Sequence, residues 1–293
     1  MREIFLSLLI LFTSLPALYP MDWKALHNKA DGLTLSAAQD AAAGTQGLLE
    51  DQYVLGLVYL NLHQDQTAYQ VFAALLDNHP DMAELKWGLA ESLRRLHNTD
   101  KAESLLNEVI KQDAAFAPAL ISLAYIKYFK MDFTGSVRLA SKVIQQGPDK
   151  VDLSNYARAY AMYAGAKGML AHYGGIFSKA IDGLAVKTNL DKAQKLQPDS
   201  PAVLFGLGSY YLLAPVIAGG NKNKAEEYLN KALEVDPYFA DVYVRLAQLA
   251  KIRGEKEKYN SYMSKALELD PGNELALDTI SGRCKFICTG GKE

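Results

Sequence analysis

The sequence predicts an all-α, right-handed superhelical solenoid of stacked helix-turn-helix units with a C-terminal capping helix. Three observations predict it: recurring columns of apolar and small residues, a fixed spacing between closing prolines, and the composition of a chain that buries a core. Of 293 residues, 49% are hydrophobic and 22% charged, which excludes a disordered chain.

The columns come first. The segments TAYQVFAALLDNHP, KAESLLNEVIKQDA, GSVRLASKVIQQGP, KAEEYLNKALEVDP and KYNSYMSKALELDP align on Ala68, Ala102, Ser136, Ala225 and Tyr259. Four residues on stand Phe72, Leu106, Ala140, Leu229 and Met263, and three beyond those Leu75, Val109, Val143, Ala232 and Ala266. The spacing i, i+4, i+7 puts one apolar stripe on a helix. Upstream of each lies a second helix marked by Leu55, Leu89, Leu123, Leu207 or Leu246, followed directly by Gly56, Ala90, Ala124, Gly208 or Ala247. A small residue beside the leucine lets two helices approach closely. Neither helix can bury its stripe alone, so the pairs must stack.

The period comes next. Pro80, Ala114, Pro148, Pro237 and Pro271 close the aligned segments; Pro80 to Pro148 is 68 residues and Pro237 to Pro271 is 34. Columns and period together closely resemble the tetratricopeptide repeat, over about residues 49–273. The organisation that follows is an N-terminal helical cap over 18–48, three units over 49–150, an irregular Gly-rich expanded unit over 151–200, and two units over 201–273, the first with a five-residue insertion. A capping helix over 274–283, N-capped by Asn273 and stopped at Gly282, precedes a Cys-containing tail over 284–293.

Two departures from the period stand out. Pro148 to Pro198 is 50 residues and Pro198 to Pro237 is 39. The longer excess contains Gly165, Gly168, Gly174 and Gly175, each costing about 1 kcal/mol relative to Ala inside a helix. A helix from Leu153 to about Ala171, a break at Gly174–Gly175 and a restart near Ile176 are expected. Tyr156, Tyr160 and Tyr163 share one face there, as core residues or as the lining of a channel. The shorter excess falls in LLAPVIAGGNK: Pro215 should end the helix near Leu213, Gly219–Gly220 should supply a turn, and Asn221 should cap the next helix. That apolar loop is either a plain surface connection or a cover over one mouth of the superhelix.

At the N-terminus, residues 4–12 form an apolar run after Arg2, the pattern of a secretory signal peptide over 1–17 with cleavage after Ala17. Export to the periplasm or beyond, as a soluble or N-terminally anchored protein, is the expectation. Cys284 and Cys288 are the only cysteines; they form a local disulfide or remain free thiols. None of the five histidines lies near them in sequence, which disfavours a metal. With a net charge of −2 and no basic run, nucleic acid is excluded as a partner. The Gly-rich stretches GGNKNK and GAKGML lack a phosphate-loop pattern, no catalytic constellation emerges, and no cofactor is called for. His63 and His97 fall at inter-helix turns and read as solvated, as does Asp182 on a polar face.

The tetratricopeptide resemblance implies that the first helices line a concave face. Tyr53, Trp87, Tyr125, Tyr128 and Phe205, with Tyr160 from the expanded unit, make that face aromatic. Tyr53 and Leu57 stand where a Lys/Asn/Arg clamp for a terminal carboxylate would need Lys and Asn. Pro215, Gly219, Gly220, Asn221 and Ala225 also resemble the T component of TRAP-type transporters, which implies an oligomer with an apolar passage partnering a solute-binding protein. The expectation is therefore a non-catalytic exported scaffold. It binds a protein partner or a small apolar ligand through its concave face, as a homo-oligomer or singly, in solute transport or in envelope assembly.

Overall fold

The computed structural model describes residues 21–44 and 48–288. The signal-peptide reading of residues 1–17 and the last five residues of the tail lie outside them. Among the described residues there are fifteen α-helices and no strands. Two short helices, α1 (Trp23–Asp31) and α2 (Leu35–Ala43), precede antiparallel pairs. The pairs are α3 (Leu49–Asn61) with α4 (Asp65–Asn78), α5 (Ala83–Arg95) with α6 (Thr99–Gln112), and α7 (Ala117–Phe129) with α8 (Phe133–Gln146). The long pair α9 (Leu153–Tyr173) and α10 (Ile176–Leu196) follows, then α11 (Pro201–Leu213) with α12 (Lys222–Val235), α13 (Ala240–Ile252) with α14 (Lys256–Leu269), and α15 (Glu274–Ser281).

The regularity has a packing cause. Outside the long pair, every first helix has 13 residues and every second helix 14. The second helix buries its i, i+4, i+7 stripe, as with Ala68, Phe72 and Leu75 in α4. The small column does what the alignment requires of it. A Cβ on Gly56 would stand 2.6 Å from the Phe72 ring, so the glycine lets α4 close onto α3. The turn joining the two helices of a unit passes through one left-handed residue: His63, His97, Met131 or Gly254, with φ between 56° and 74°.

Both departures from the period are localised. The long excess goes into α9 and α10, 21 residues each, so this hairpin overhangs the others by about 10 Å. Its break falls at Gly174–Gly175, and α9 runs on through Gly165 and Gly168 to Tyr173. The short excess lies between α11 and α12. Leu213 ends α11, a single 3-10 turn covers Val216–Ala218, Gly219 takes φ 94°, and the Asn221 side chain accepts hydrogen bonds from the Asn223 and Lys224 amides. The idea that this loop covers an apolar opening is corrected: Val216 and Ile217 stand in solvent. The Tyr156 ring is buried, and Tyr160 packs against the core that runs from α1 to α9, which favours the core reading of that stripe.

The array also closes on itself. His63 in the first intra-unit turn pairs with Asp236 after α12 (Nε2 to Oδ2, 2.8 Å), and His97 in the second pairs with Asp270 after α14 (Nε2 to Oδ1, 2.7 Å). His97 Nδ1 also meets Glu274 of α15 at 3.2 Å. The reading of these two histidines as solvated is corrected. They lie 34 residues apart, as do their partner aspartates, so two adjacent rungs of one repeat ladder grip two rungs of another.

Candidate functional site

Closure turns the concave face into an interior, and two segments of the chain fill it. In the front half the occupant is α1. The Asp22 side chain caps it by accepting from the Ala25 amide, and Leu26, His27 and Ala30 are its buried residues. Trp23 packs edge-on against Phe116 with ring centroids 5.3 Å apart, and the His27 ring lies 4.9 Å from Trp87. His27 Nε2 and the Tyr53 hydroxyl share a hydrogen bond of 3.1 Å. Lys24 Nζ donates to the Asp149 carbonyl at 2.6 Å, and the Ser154 hydroxyl donates to Asp31 at 2.6 Å, tying α1 to the start of α9. Tyr53 and Trp87, expected on an open binding face, are buried under this helix. So is Leu57.

Burial sets the electrostatics here. Loss of solvent pushes the His27 pKa down to about 4, outweighing the attraction of Asp152 and Asp31, so the ring is neutral at pH 7. The same loss of solvent holds the Tyr53 phenol well above its ordinary range.

Behind α1 lies a buried charge network. Glu91 accepts from Arg94 Nη2 (2.6 Å), Arg95 Nε (3.0 Å) and the Ser122 hydroxyl (2.7 Å), and Ser122 accepts from the Trp87 indole at 3.1 Å. Burial opposes ionisation of Glu91, but the Arg94 guanidinium beside it wins and holds the carboxyl far below the carboxylate range. The Arg94 guanidinium also stacks over Tyr125, 4.3 Å from the ring centroid. A cleft of about 30 Å³ between His27, Asp31, Glu91, Arg95, Asn155 and Arg158 is the space left beside α1. That is room for about one water molecule.

In the rear half the occupant is the C-terminal tail. Cys284 and Cys288 are joined in a disulfide that brackets Phe286. Phe286 stacks on Tyr128 (5.7 Å) and meets Phe129 at 5.0 Å. Arg245 donates to the Phe286 and Ile287 carbonyls at 3.2 and 3.1 Å, and the Tyr173 hydroxyl donates to the Lys285 carbonyl at 2.8 Å. Desolvation raises the Tyr128 phenol to about 12.

The predicted site residues therefore separate into groups. Tyr53 and Trp87 lie under α1, Tyr128 lies under the tail, and Tyr125 lies between them. Tyr160 packs against Tyr156, with Lys192 near its face, and Phe205 packs on Phe239. Pro215, Gly219 and Gly220 sit apart on the α11–α12 loop, where the Tyr210 hydroxyl donates to the Ala218 carbonyl. The occupants themselves were missed. Trp23, Leu26, His27 and Ala30 form an i, i+3, i+4, i+7 stripe in DWKALHNKAD, a signal that was present. Asp182 pairs with Lys167 at 2.6 Å rather than standing free in solvent. A surface depression of about 550 Å³ lies between Tyr69, Leu89, Leu93 and Leu105.

Stacked helix pairs around a filled concave face define a helical-repeat solenoid. Parts of it are similar to the tetratricopeptide repeat: models described as Tetratricopeptide repeat match residues 64–124 in the first half, and 217–239 and 240–273 in the second. Solved structures agree in fold. A thermophilic TPR protein of Thermus thermophilus is 19% identical with a TM-score of 0.55, over 69% of this chain and 98% of that one. A tetratricopeptide repeat protein of Parabacteroides merdae is 14% identical with a TM-score of 0.53, over 88% and 97%. The APC/C hetero-tetramer Cut9–Hcn1 contains a chain 15% identical with a TM-score of 0.55, over 88% of this chain and 47% of its own. No curated protein sequence matches the chain.

Proposed function

We propose that the protein is an exported, non-catalytic scaffold whose repeat array grips an amphipathic helical segment of a protein partner. Tetratricopeptide repeats mediate protein–protein interaction, and the observation that makes this specific is α1. It presents Trp23, Leu26, His27 and Ala30 as one stripe to the first helices of successive units. That is the helix-in-groove mode of recognition, with anchors at i, i+3, i+4 and i+7. A buried aromatic pair such as Tyr53 and Trp87 is the kind of anchor site that dominates such interfaces. In this reading α1 is the intramolecular occupant and a partner helix competes with it. Export is supported by the apolar run over residues 4–12. A role in solute transport rests on the resemblance of Pro215, Gly219, Gly220, Asn221 and Ala225 to a transporter component, which implies an apolar passage; the outward Val216 and Ile217 favour the partner-helix reading instead.

The test uses α1 itself as probe. Trp23→Ala combined with His27→Ala should loosen α1, and a synthetic peptide of residues 21–32, added in trans, should then bind the full-length variant. Fluorescence anisotropy of labelled peptide reads the binding, and circular dichroism checks that the array remains helical. Wild-type protein should bind the peptide at least about tenfold more weakly, because its own α1 competes at high effective concentration. A folded variant that takes up no peptide would remove the groove as a helix-binding site.

A further inference from the structure

Both departures from the repeat period expose apolar side chains, and they do so side by side. On the overhanging hairpin, Ile176 is 84% exposed, Phe177 85%, Ile181 68% and Leu184 77%. On the α11–α12 loop, Val216 is 87% exposed and Ile217 98%. The two groups share an edge. Leu184 lies one turn from Lys187, whose ammonium reaches the Tyr211 ring (5.9 Å), and the neighbouring Tyr210 donates its hydroxyl to the Ala218 carbonyl of the loop. Soluble monomers rarely leave more than a few hundred Å² of contiguous apolar surface open, and six large apolar side chains stand open on these two neighbouring segments.

The stripe on α10 is not an extension of the core stripe. Val186, Leu190 and Ala193 are the residues α10 buries against the array. Carried back by helical spacing, that face would pass through Lys179 and Asp182. Phe177, Ile181 and Leu184 are likewise spaced i, i+4, i+7, but offset by two residues, which is about 200° around the axis. The helix thus carries one apolar face inward along its second half and the opposite apolar face outward along its first half. Packing explains only the inward face.

Charge identifies what would cover the outward one. Around it the carboxylates are already paired: Asp182 with Lys167, Asp191 with Lys187, Glu226 with Arg253, and Glu227 with Lys231. Three exposed lysines near the patch, Lys179, Lys222 and Lys285, form no ion pair among the described residues, and Lys224 lies over the Tyr211 ring at 5.4 Å. A second copy of the chain would bring these like charges together. An apolar patch rimmed by unpaired lysines matches an anionic bilayer surface, where apolar side chains enter the headgroup boundary and lysines stay at the phosphates. No helix among the described residues is long and apolar enough to cross a membrane, which fits a surface that lies on one.

We propose that the α9–α10 hairpin and the Val216–Ile217 loop form a docking surface for an anionic lipid bilayer, independent of the groove. The experiment places an indole on each segment of the full chain, as Phe177→Trp and separately Ile217→Trp. Vesicles of phosphatidylcholine alone, or with phosphatidylglycerol, are then added. Emission from each probe should shift to the blue and be quenched by brominated acyl chains, in anionic vesicles and less as salt rises. Wild-type emission from Trp23 and Trp87, which lie inside the array, should not be quenched. Val216→Ser with Ile217→Ser should lower the partition of the Phe177→Trp chain by about tenfold or more. Vesicle binding with both probes still water-like would place the contact at residues 4–12 and overturn the proposal. Blue emission before vesicles are added, in a dimer by light scattering, would assign the face to a second copy and overturn it equally.

Discussion

Glu91 shows how a repeat protein holds charge in its interior. Its carboxylate accepts from Arg94, Arg95 and Ser122, and through Ser122 it positions the Trp87 indole beneath α1. Removing one partner of a buried pair leaves the other charge uncompensated, which costs about 3–5 kcal/mol. Glu91→Ala should therefore lower stability by about that much in urea unfolding, and Glu91→Gln by less, because the amide still accepts from Ser122. Phe72 is the apolar counterpart. It is fully buried, and Gly56 and Gly88 make room for its ring. Phe72→Ala should cost about 3–5 kcal/mol by leaving a cavity between two units, checked by the same unfolding measurement. The sequence made Phe72 legible as a column residue. Glu91 was legible only as a position on a face: Arg94 and Arg95 stand three and four residues on in the same helix, but Ser122, 31 residues away, and the burial of the whole network are contacts in space that one chain in one dimension does not reveal.

At the scale of elements, α1 is the part most sensitive to conditions. His27 is buried with its pKa lowered to about 4 from an ordinary 6.5. A depressed value means the folded form holds fewer protons than the unfolded one. Its stability contribution is thus full above about pH 6.5 and is lost as pH falls from there towards 4. Hydrogen exchange should show the α1 amides protected at pH 7 and opening at pH 5 while those of α3 and α5 stay protected. His27→Phe should remove the pH dependence. Equal α1 exchange at the two pH values would show that His27 does not hold the helix. Helices were the legible element. The 34-residue columns located the repeat pairs, and the glycines and proline located both interruptions, because local backbone cost decides those boundaries. Where α1 and the tail pack was not legible. Their stripes, Trp23 to Ala30 and the bracketed Phe286, say that they bury something without saying against what.

At the scale of the whole molecule, the two His–Asp pairs decide the shape. His97 is held at a pKa of about 10 by its hydrogen bonds with Asp270 and Glu274. Burial works against Asp270, but the hydrogen bond from His97 prevails and lowers its pKa. The raised histidine contributes stability fully below about pH 6.5, and that contribution disappears as pH rises towards 10. The lowered aspartate contributes above its ordinary value near 3.8 and is lost in stronger acid. The clasp is therefore tightest between about pH 4 and 6.5; thermal stability should fall from pH 7 to 10 in the wild type, and His97→Ala should flatten that fall. The 34-residue spacing of the histidines, matched by that of the aspartates, held a hint of this closure. An open superhelix remained equally consistent with the columns, since curvature depends on how the long α9–α10 pair seats between its neighbours. The direct measurement is the distance across the clasp. Nitroxide labels on Gln64→Cys and Tyr238→Cys, which leave both His–Asp pairs intact, should lie within about 20 Å of each other by pulsed electron resonance, because the elements that carry them touch. A distribution centred at roughly 40 Å or more, as expected for units stacked 8–10 Å per helix along an open array, would contradict the closed, self-filled solenoid.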